Sequence, residues 1–195
     1  NFVEKKHKQK IDIIHFSNYE KMFNPKSFHY IKHISKISFA RIFIASLLPQ
    51  DIDKVLYLDA DILVREDISK LYNINIDNFT VGMASYIEEQ SPYGSYNGGV
   101  VLINLKKWRQ QKIEEKLLKY TRQELAKIKK DASYQSIPPI DQDAYNIVLK
   151  DEIYPLDAKW NSGSRIFIHE AYSNNVKDVK WDDKYNSEYN SIECK

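Results

Sequence analysis

The chain has 195 residues, 43% of them hydrophobic and 29% charged, with a formal net charge of +2. This size and composition predict one soluble globular domain with a substantial core. The near-neutral charge, with lysines scattered among acidic residues, excludes a nucleic-acid partner, and no apolar run approaches the roughly 20 residues of a transmembrane segment. We see no signal peptide, and the single cysteine, Cys194, excludes an internal disulfide and favours a reducing cytoplasm.

Strands and helices alternate along the predicted structure. The apolar patterns predict strands at 11–16, 54–58, 79–84 and 99–104, and helices at 35–48, 68–72, 112–130 and from Asp141 onward. The inner stripe of the helix at 112–130 consists of Ile113, Leu117, Leu125 and Ile128. Because neither a repeat nor a Gly/Pro-rich linker divides the chain, we predict one α/β domain with a mostly parallel sheet flanked by helices.

An Asp-x-Asp motif, Asp59-Ala60-Asp61, directly follows the apolar run Lys54–Leu58. That run predicts a buried parallel strand, and ligands of open α/β sheets lie beyond the carboxyl ends of the strands. Two carboxylates this close repel each other unless a cation neutralises them. A hard divalent ion does so and keeps coordination positions open for a substrate diphosphate, so the motif predicts a metal site.

Two other Asp-x-Asp motifs receive different interpretations because of their positions. Asp51-Ile52-Asp53 precedes the strand and predicts a solvated turn. Asp141-Gln142-Asp143 opens an apolar-periodic segment, where Asp141 is either a helix N-cap or a functional carboxylate. The residues alone leave that choice open.

Four sequence blocks occur together in one order. They are HISKISFAR at 33–41, KVLYLDADILV at 54–64, YNGGVVLINLKKWR at 96–109 and DQD at 141–143, with LDAKWN at 156–161 as a fifth. Over roughly 30–161 the chain therefore resembles glycosyltransferase family 8, retaining enzymes that include bacterial lipopolysaccharide galactosyl- and glucosyltransferases. The resemblance implies a GT-A-like, Rossmann-like mixed sheet and a single catalytic domain over 1–195.

The resemblance also implies a nucleotide-sugar site. Asp59 and Asp61 match the residues that hold Mn²⁺, or Mg²⁺, on the diphosphate of a UDP-sugar. His33 and Arg41 match positions that contact the nucleotide and the edge of the donor. Without the family, His33 fits an ordinary loop or cap histidine, and Arg41, within an apolar helix, must snorkel or pair with a carboxylate.

Three further positions match residues that hold the donor sugar. Asn97 matches an asparagine that binds sugar hydroxyls, although Asn97-Gly98 by itself is also typical of a hairpin turn. Asp141 and Gln142 match residues that grip the sugar and lie beside its anomeric carbon. An amide is a poor nucleophile, so Gln142 is expected to stabilise oxocarbenium-like charge, with front-face and double displacement both left open.

The chain departs from the family pattern at several places. Tyr86 stands where close relatives place an aspartate, and Gly98 where alanine or serine is usual. The first βαβ unit, which holds the uridine, is not found before Asn1. A His-x-x-Gly-x-x-Lys-Pro-Trp block, which brings a third metal ligand, is also missing, and the surroundings of His169 do not match it. We therefore expect an incomplete domain.

The implied function is transfer of a hexose, glucose or galactose, from a UDP-hexose to a saccharide or glycolipid acceptor. Lipopolysaccharide or other surface-glycan synthesis is the expected setting, in the cytoplasm, with peripheral membrane association through the missing C-terminal region. The alternative is a catalytically incomplete GT-A fragment that only binds metal, nucleotide or a partner. A phosphohydrolase of the haloacid dehalogenase type is disfavoured, because Ile62-Leu63-Val64 offers no hydroxyl and no Gly-Asp-x-x-x-Asp block follows.

Overall fold

The computed structural model describes residues 2–15, 36–85, 96–130 and 141–162. Its strands are β1 (Lys54–Leu58), β2 (Val81–Ser85), β3 (Tyr96–Asn104) and β4 (Ile153–Leu156). Its helices are α1 (Phe2–His7), α2 (Ile44–Leu47), α3 (Ser69–Tyr72), α4 (Leu105–Gln110), α5 (Ile113–Lys130) and α6 (Asp141–Val148). Two 3₁₀ helices, Lys36–Phe43 and Ala158–Asn161, complete the described elements.

The four described strands form one mixed sheet in the order β1-β3-β2-β4. The α/β class and the mixed sheet are confirmed, but the expected parallel majority does not hold among these strands. β3 pairs antiparallel with both β1 and β2, and only β2 and β4 are parallel. Among the described strands the prediction of β1 as a buried parallel strand is wrong, since its one described neighbour, β3, is antiparallel and β1 is half-buried throughout. A continuous apolar run is typical of parallel strands because both of their faces are covered, but an antiparallel strand covered on both faces gives the same run.

Both faces of the sheet are covered, as the side-chain alternation of β3 requires. Val101 and Ile103 face the larger core, which the 3₁₀ helix Lys36–Phe43 and helices α4 to α6 build. Val100 faces a smaller cluster that includes Leu71 of α3. The fully buried aromatic residues of the larger core are Trp108, Tyr145, Phe39 and Phe43.

Most helix and strand predictions agree with the structure to within a few residues. The predicted helix at 35–48 is a 3₁₀ helix followed by the short α2, and the segment from 105 to 110 forms a helix that the apolar pattern did not reveal. In α5 the predicted inner residues Ile113 and Leu117 are buried, and the side chains of Leu125 and Ile128 lie outside the described part.

The predicted first strand at 11–16 is wrong over the residues that the structure describes. Residues 8–15 form no regular element, and Ile13 is 76% exposed. Among the described strands none hydrogen-bonds to this run, and β-branched residues do not make a strand without a pairing partner. The preceding residues form α1, and the backbone N–H of Ile11 bonds the carboxylate of Glu4.

Arg109 of α4 fixes the segment that joins α2 to β1. Its guanidinium lies against five backbone carbonyls, those of Ala45, Leu48, Pro49, Gln50 and Ile52, at 2.8–3.4 Å. Arginine presents several N–H groups in a rigid planar fork, which suits such a cluster of acceptors. The helical segment that carries Arg41 and the strand that leads to Asp59 are thereby tied to one side chain.

Candidate functional site

The pairing directions bring three polar segments to one edge of the sheet. Because β3 runs antiparallel to β1, Leu58 pairs with Val100, and the start of β3 lies beside the end of β1. The backbone N–H of Asp59 extends this pairing with a 2.9 Å bond to the carbonyl of Gly99. β2 and β4 are parallel, so residues after β4 reach the same edge. The antiparallel pairing therefore places the Asn97–Gly99 segment next to the Asp-x-Asp turn.

Asp59 is held on one of its two carboxylate oxygens. The Tyr57 hydroxyl donates to its Oδ1 at 2.6 Å, and Arg41 Nη2 lies 3.3 Å from the same oxygen. The Arg41 guanidinium also lies over the Tyr57 ring, 4.9 Å from its centroid, in cation–π geometry. Only 10% of the Arg41 side chain is exposed, against 32% of Asp59, so this ion pair is partly desolvated. Such hydrogen bonds to a charged group are stronger than neutral ones and fix the carboxylate plane.

Gly98 connects Arg41 to the start of α6. Its carbonyl accepts a 2.6 Å hydrogen bond from Arg41 Nη1, and its N–H donates to Gln142 Oε1 at 3.0 Å. A Cβ at Gly98 would lie 2.6 Å from Arg41 Nη1, closer than real contacts allow. A glycine is therefore required for the arginine as it is placed here.

An asparagine pair lies on the other side of the same segment. Asn97 Oδ1 accepts from the Gly99 N–H at 2.8 Å and from Asn161 Nδ2 at 2.7 Å. A Cβ at Gly99 would lie 3.0 Å from Asn97 Oδ1 and 3.5 Å from both Asn161 Oδ1 and Asp59 Oδ2. The missing side chain leaves a space that three side-chain oxygens line.

Helix α6 is anchored to the site through its buried face. The Asn146 amide accepts from the Tyr96 N–H at 3.0 Å and donates to the Tyr96 carbonyl at 2.8 Å, which docks the helix on the start of β3. The Tyr145 hydroxyl donates to the carbonyl of Arg41 at 3.1 Å, and its ring packs edge-on against Trp108. These contacts set where Gln142 lies relative to Arg41.

The structure brings together four of the residues predicted from the sequence. Arg41, Asp59, Asn97 and Gln142 surround Gly98 and Gly99. Their proposed roles in binding and catalysis remain predictions.

The remaining predicted positions are less fully described. Asp61 is exposed in the turn after β1, and Asp141 is the first residue of α6, with its side chain outside the described part. His33, Tyr86 and His169 lie outside the described residues. Asp51 and Asp53 are exposed, as the solvated-turn interpretation predicted.

Sequence reasoning did not single out Tyr57, Asn146 or Asn161, which support or line this site. Tyr57 has a signal in the sequence, because alternate residues of a strand share a face and it stands two positions before Asp59. Asn161 belongs to a block that matched the family but carried no role. Asn146 has no such signal, because its partner is the backbone of a residue 50 positions away.

A comparison with known families identifies the family of this chain. The sequence profile of "Glycosyl transferase family 8" matches residues 1–184. The chain belongs to glycosyl transferase family 8. It is 33% identical over 146 residues to general stress protein A of Bacillus subtilis, covering 70% of this chain and 49% of that protein. It is 31% identical over 140 residues to lipopolysaccharide 1,2-glucosyltransferase of Escherichia coli, covering 66% of this chain and 39% of the relative.

Solved structures of family 8 enzymes share the fold. The galactosyltransferase LgtC, in complex with donor and acceptor sugar analogs, superposes with a TM-score of 0.59 at 26% identity, over 88% of this chain and 62% of that one. A variant of LgtC with an active-site glutamine replaced by glutamate gives 0.60 at 26% identity over the same shares. The GT-A-like architecture is thereby confirmed. The chain spans about half or less of the length of the curated relatives quoted above.

Neither a cluster of three metal ligands nor a membrane-spanning helix is found among the described residues. No group of three or more His, Cys, Asp or Glu side chains that could together hold a metal ion occurs within 2–15, 36–85, 96–130 and 141–162. No helix in that part of the chain is long and apolar enough to cross a membrane. The family is shown, and the activity, donor, metal and acceptor are matters of proposal.

Proposed function

We propose that the chain is the core of a retaining transferase that moves glucose or galactose from a UDP-hexose to a saccharide or glycolipid acceptor. The observation that carries the proposal is the state of Asp59. Its Oδ1 is held by Tyr57 and Arg41, while its Oδ2 faces the space above Gly99. A fixed carboxylate with one oxygen directed at a glycine-lined space is suited to a ligand that must approach the backbone closely.

The residues present fit a hard divalent cation with further ligands supplied from elsewhere. Asp59 and Asp61 offer only carboxylate oxygens, which Mn²⁺ and Mg²⁺ prefer over nitrogen or sulfur donors. Two protein ligands leave positions for diphosphate oxygens. When bound, such an ion polarises the diphosphate and stabilises the charge of the departing UDP. Arg41, fixed beside Asp59, adds a cationic group at the same place.

Gln142 is proposed to act on the sugar ring and not as a nucleophile. Its Oε1 accepts from the Gly98 N–H, so the amide is oriented by a backbone donor and one oxygen lone pair remains available. That oxygen dipole would stabilise positive charge at the anomeric carbon as the bond to UDP breaks. The active-site glutamine of the LgtC variant structure supports a role for an amide in this family. We propose that Asp141, next to it, binds the sugar hydroxyls.

Surface-glycan synthesis is the proposed biological setting, and the relatives support it. A lipopolysaccharide glucosyltransferase is among the similar proteins, which supports a glycan acceptor made at the inner face of the membrane. His33 is proposed to contact the nucleotide. The cytoplasm, where UDP-sugars are the donors, is the proposed location.

The decisive experiment is the substitution Asp61→Asn in the protein that carries this chain, with Mn²⁺-dependent release of UDP from UDP-glucose and UDP-galactose as the readout. Changes next to metal ligands typically cost about 10–100-fold, so loss of a ligand should reduce release by more than that. Asp51→Asn, in the exposed Asp-x-Asp turn before β1, is the matched control and should keep full activity.

Each other outcome has a definite meaning. Undiminished release by Asp61→Asn would overturn the metal assignment. A protein that binds UDP with Mn²⁺ but releases none from either donor would support the second candidate, a domain that binds without turnover.

A further inference from the structure

We infer that Asn161 contributes to sugar recognition together with Asn97. The side chains of this asparagine pair would bind one hydroxyl of the donor hexose. The inference rests on the proposed function, because it names a further specificity-determining residue at the same site. Asn161 lies at the end of the 3₁₀ helix Ala158–Asn161, far from Asn97 in sequence. The two side chains are joined by the 2.7 Å hydrogen bond already described.

One backbone donor determines the orientation of both amides. The Gly99 N–H can only donate, so the atom of Asn97 that faces it at 2.8 Å must be the oxygen. Asn161 then has to present its Nδ2 to the same oxygen, because two amide oxygens in contact would repel. Neither amide can flip without losing a hydrogen bond and creating a clash of like groups. The orientation is therefore fixed by the fold before a ligand arrives.

This fixed orientation leaves one donor and one acceptor unused. Asn97 Nδ2 and Asn161 Oδ1 form no hydrogen bond within the part of the chain that the structure describes. Neither atom belongs to the buried unpaired atoms of that part, which are Trp108 Nε1, Arg109 Nε and Thr121 Oγ1. Both side chains are half-exposed, so both atoms can meet a ligand.

An adjacent donor and acceptor match the chemistry of a sugar hydroxyl. A hydroxyl donates one hydrogen bond and accepts others, so it satisfies Asn97 Nδ2 and Asn161 Oδ1 together. Asn161 Oδ1 lies 3.5 Å from the position that a Gly99 Cβ would occupy, as does Asp59 Oδ2. The pair thus borders the same space as the carboxylate proposed to hold the metal, where the hexose of a UDP-sugar has to lie.

Local structure explains how Asn161 reaches this place. β4 runs parallel to β2, so the chain leaves the sheet at the edge that carries the site. Asp157 then caps the 3₁₀ helix, accepting from the Lys159 N–H at 2.9 Å, and turns the chain back across the start of β3. Asn161 Nδ2 also approaches the Asn97 carbonyl at 3.4 Å.

The test compares binding of UDP with binding of UDP-glucose and UDP-galactose, in Mn²⁺, for Asn161→Asp and Asn161→Ala. Asn161→Asp removes the donor to Asn97 Oδ1 with almost no change in shape but adds a negative charge, so Asn161→Ala, which adds none, decides the comparison. We expect about a tenfold rise in the Kd and KM for the hexose donors, with the Kd for UDP changed by less than about twofold. Asn73→Asp, the same change at an exposed position, should alter neither.

Donor analogues that each lack one hydroxyl show which hydroxyl of the hexose the asparagine pair binds. Against the analogue that lacks the recognised hydroxyl, wild type and Asn161→Ala should bind equally, since the contact is already absent. Asn97→Asp keeps both inward hydrogen bonds and replaces the outward donor with a negatively charged acceptor, so it should weaken hexose binding without lowering the melting temperature.

The outcomes separate this inference from the proposed function. If wild type binds UDP-hexoses and every Asn161 variant weakens UDP and all analogues equally, the residue is only structural and the inference fails. If the variants bind all donors like wild type, it fails as well. If wild type binds no UDP-hexose, the proposed function fails and the inference fails with it.

Discussion

The Tyr57 hydroxyl donates a 2.6 Å hydrogen bond to Asp59 Oδ1, so a strand residue orients the carboxylate that follows two positions later. Removing it with Tyr57→Phe should leave Arg41 as the one described partner of that oxygen and let the carboxylate rotate. We expect the Mn²⁺ concentration for half-maximal UDP release to rise by about tenfold, as for other residues that orient metal ligands.

Tyr72→Phe provides the control for the tyrosine change. Its hydroxyl bonds the carbonyl of Lys54 at the opposite end of β1, away from the carboxylate. It should leave the Mn²⁺ dependence unaltered. Equal Mn²⁺ dependence of Tyr57→Phe and wild type would mean that Arg41 alone orients Asp59.

Gly98→Ala tests the close approach of Arg41 to the backbone. The new methyl would lie 2.6 Å from Nη1, and the guanidinium cannot swing away without leaving Asp59 and the Gly98 carbonyl. Loss of hydrogen bonds to a charged group costs about 1.5–3 kcal/mol, so kcat/KM for the UDP-hexose should fall by about 10–100-fold.

The matched control for that change is Gly82→Ala, whose added methyl meets Leu156 at 3.3 Å in the core. It should lower stability while leaving the KM for the donor unchanged. A Gly98→Ala protein as active as wild type would show that Arg41 has an alternative position that keeps the site functional.

The sequence predicted the Asp-x-Asp turn and Arg41 because local patterns and family blocks carry them. It did not predict that β3 runs antiparallel to β1, and this direction is what places Asn97 beside Asp59. Strand direction depends on the connection between strands and on long-range pairing, which no run of apolar residues encodes. The same holds for Asn161, whose partner is 64 positions away.

A carboxylate network at the opposite end of the sheet predicts how stability depends on pH. Burial raises the pKa of Glu152, but hydrogen bonds from Lys107, Thr80 and Gln111, together with the Lys107 charge, outweigh it and hold the pKa below 4.5. Because the folded-state pKa is lowered, the stabilisation is present at neutral pH and is lost as the pH falls below about 4.5 through the folded value.

The stabilities of Glu152→Gln and wild type should therefore differ at pH 7, and the difference should narrow at acidic pH as the Glu152 carboxylate becomes protonated. The exposed Glu66, paired only loosely with Lys70 at 3.7 Å, supplies the control Glu66→Gln, which should track wild type at neutral and acidic pH. A stability difference that persists unchanged in acid would assign the effect of Glu152 to packing and not to its charge.

Arg109→Met should destabilise the protein and also impair the site. Methionine has a similar aliphatic side chain but no guanidinium, so the five backbone carbonyls lose their hydrogen-bond donor. Loss of a hydrogen bond from a charged donor costs about 1.5–3 kcal/mol. Urea unfolding measures the loss, with Lys116→Met on the exposed face of α5 as control. A stability equal to that of wild type would mean that water replaces the guanidinium without cost.

The Arg109 contacts also bear on which changes evolution can tolerate between α2 and β1. A guanidinium that binds only main-chain oxygens does not contact the side chains of residues 45–52, so this contact constrains the path of the chain and not residue identity. Packing constrains identity separately, because Ala45 is buried and Leu47, Leu48 and Ile52 pack against the larger core. Insertion or deletion of a single residue would move the carbonyls out of register with the fork. The Arg109 contacts therefore constrain the length of this connection.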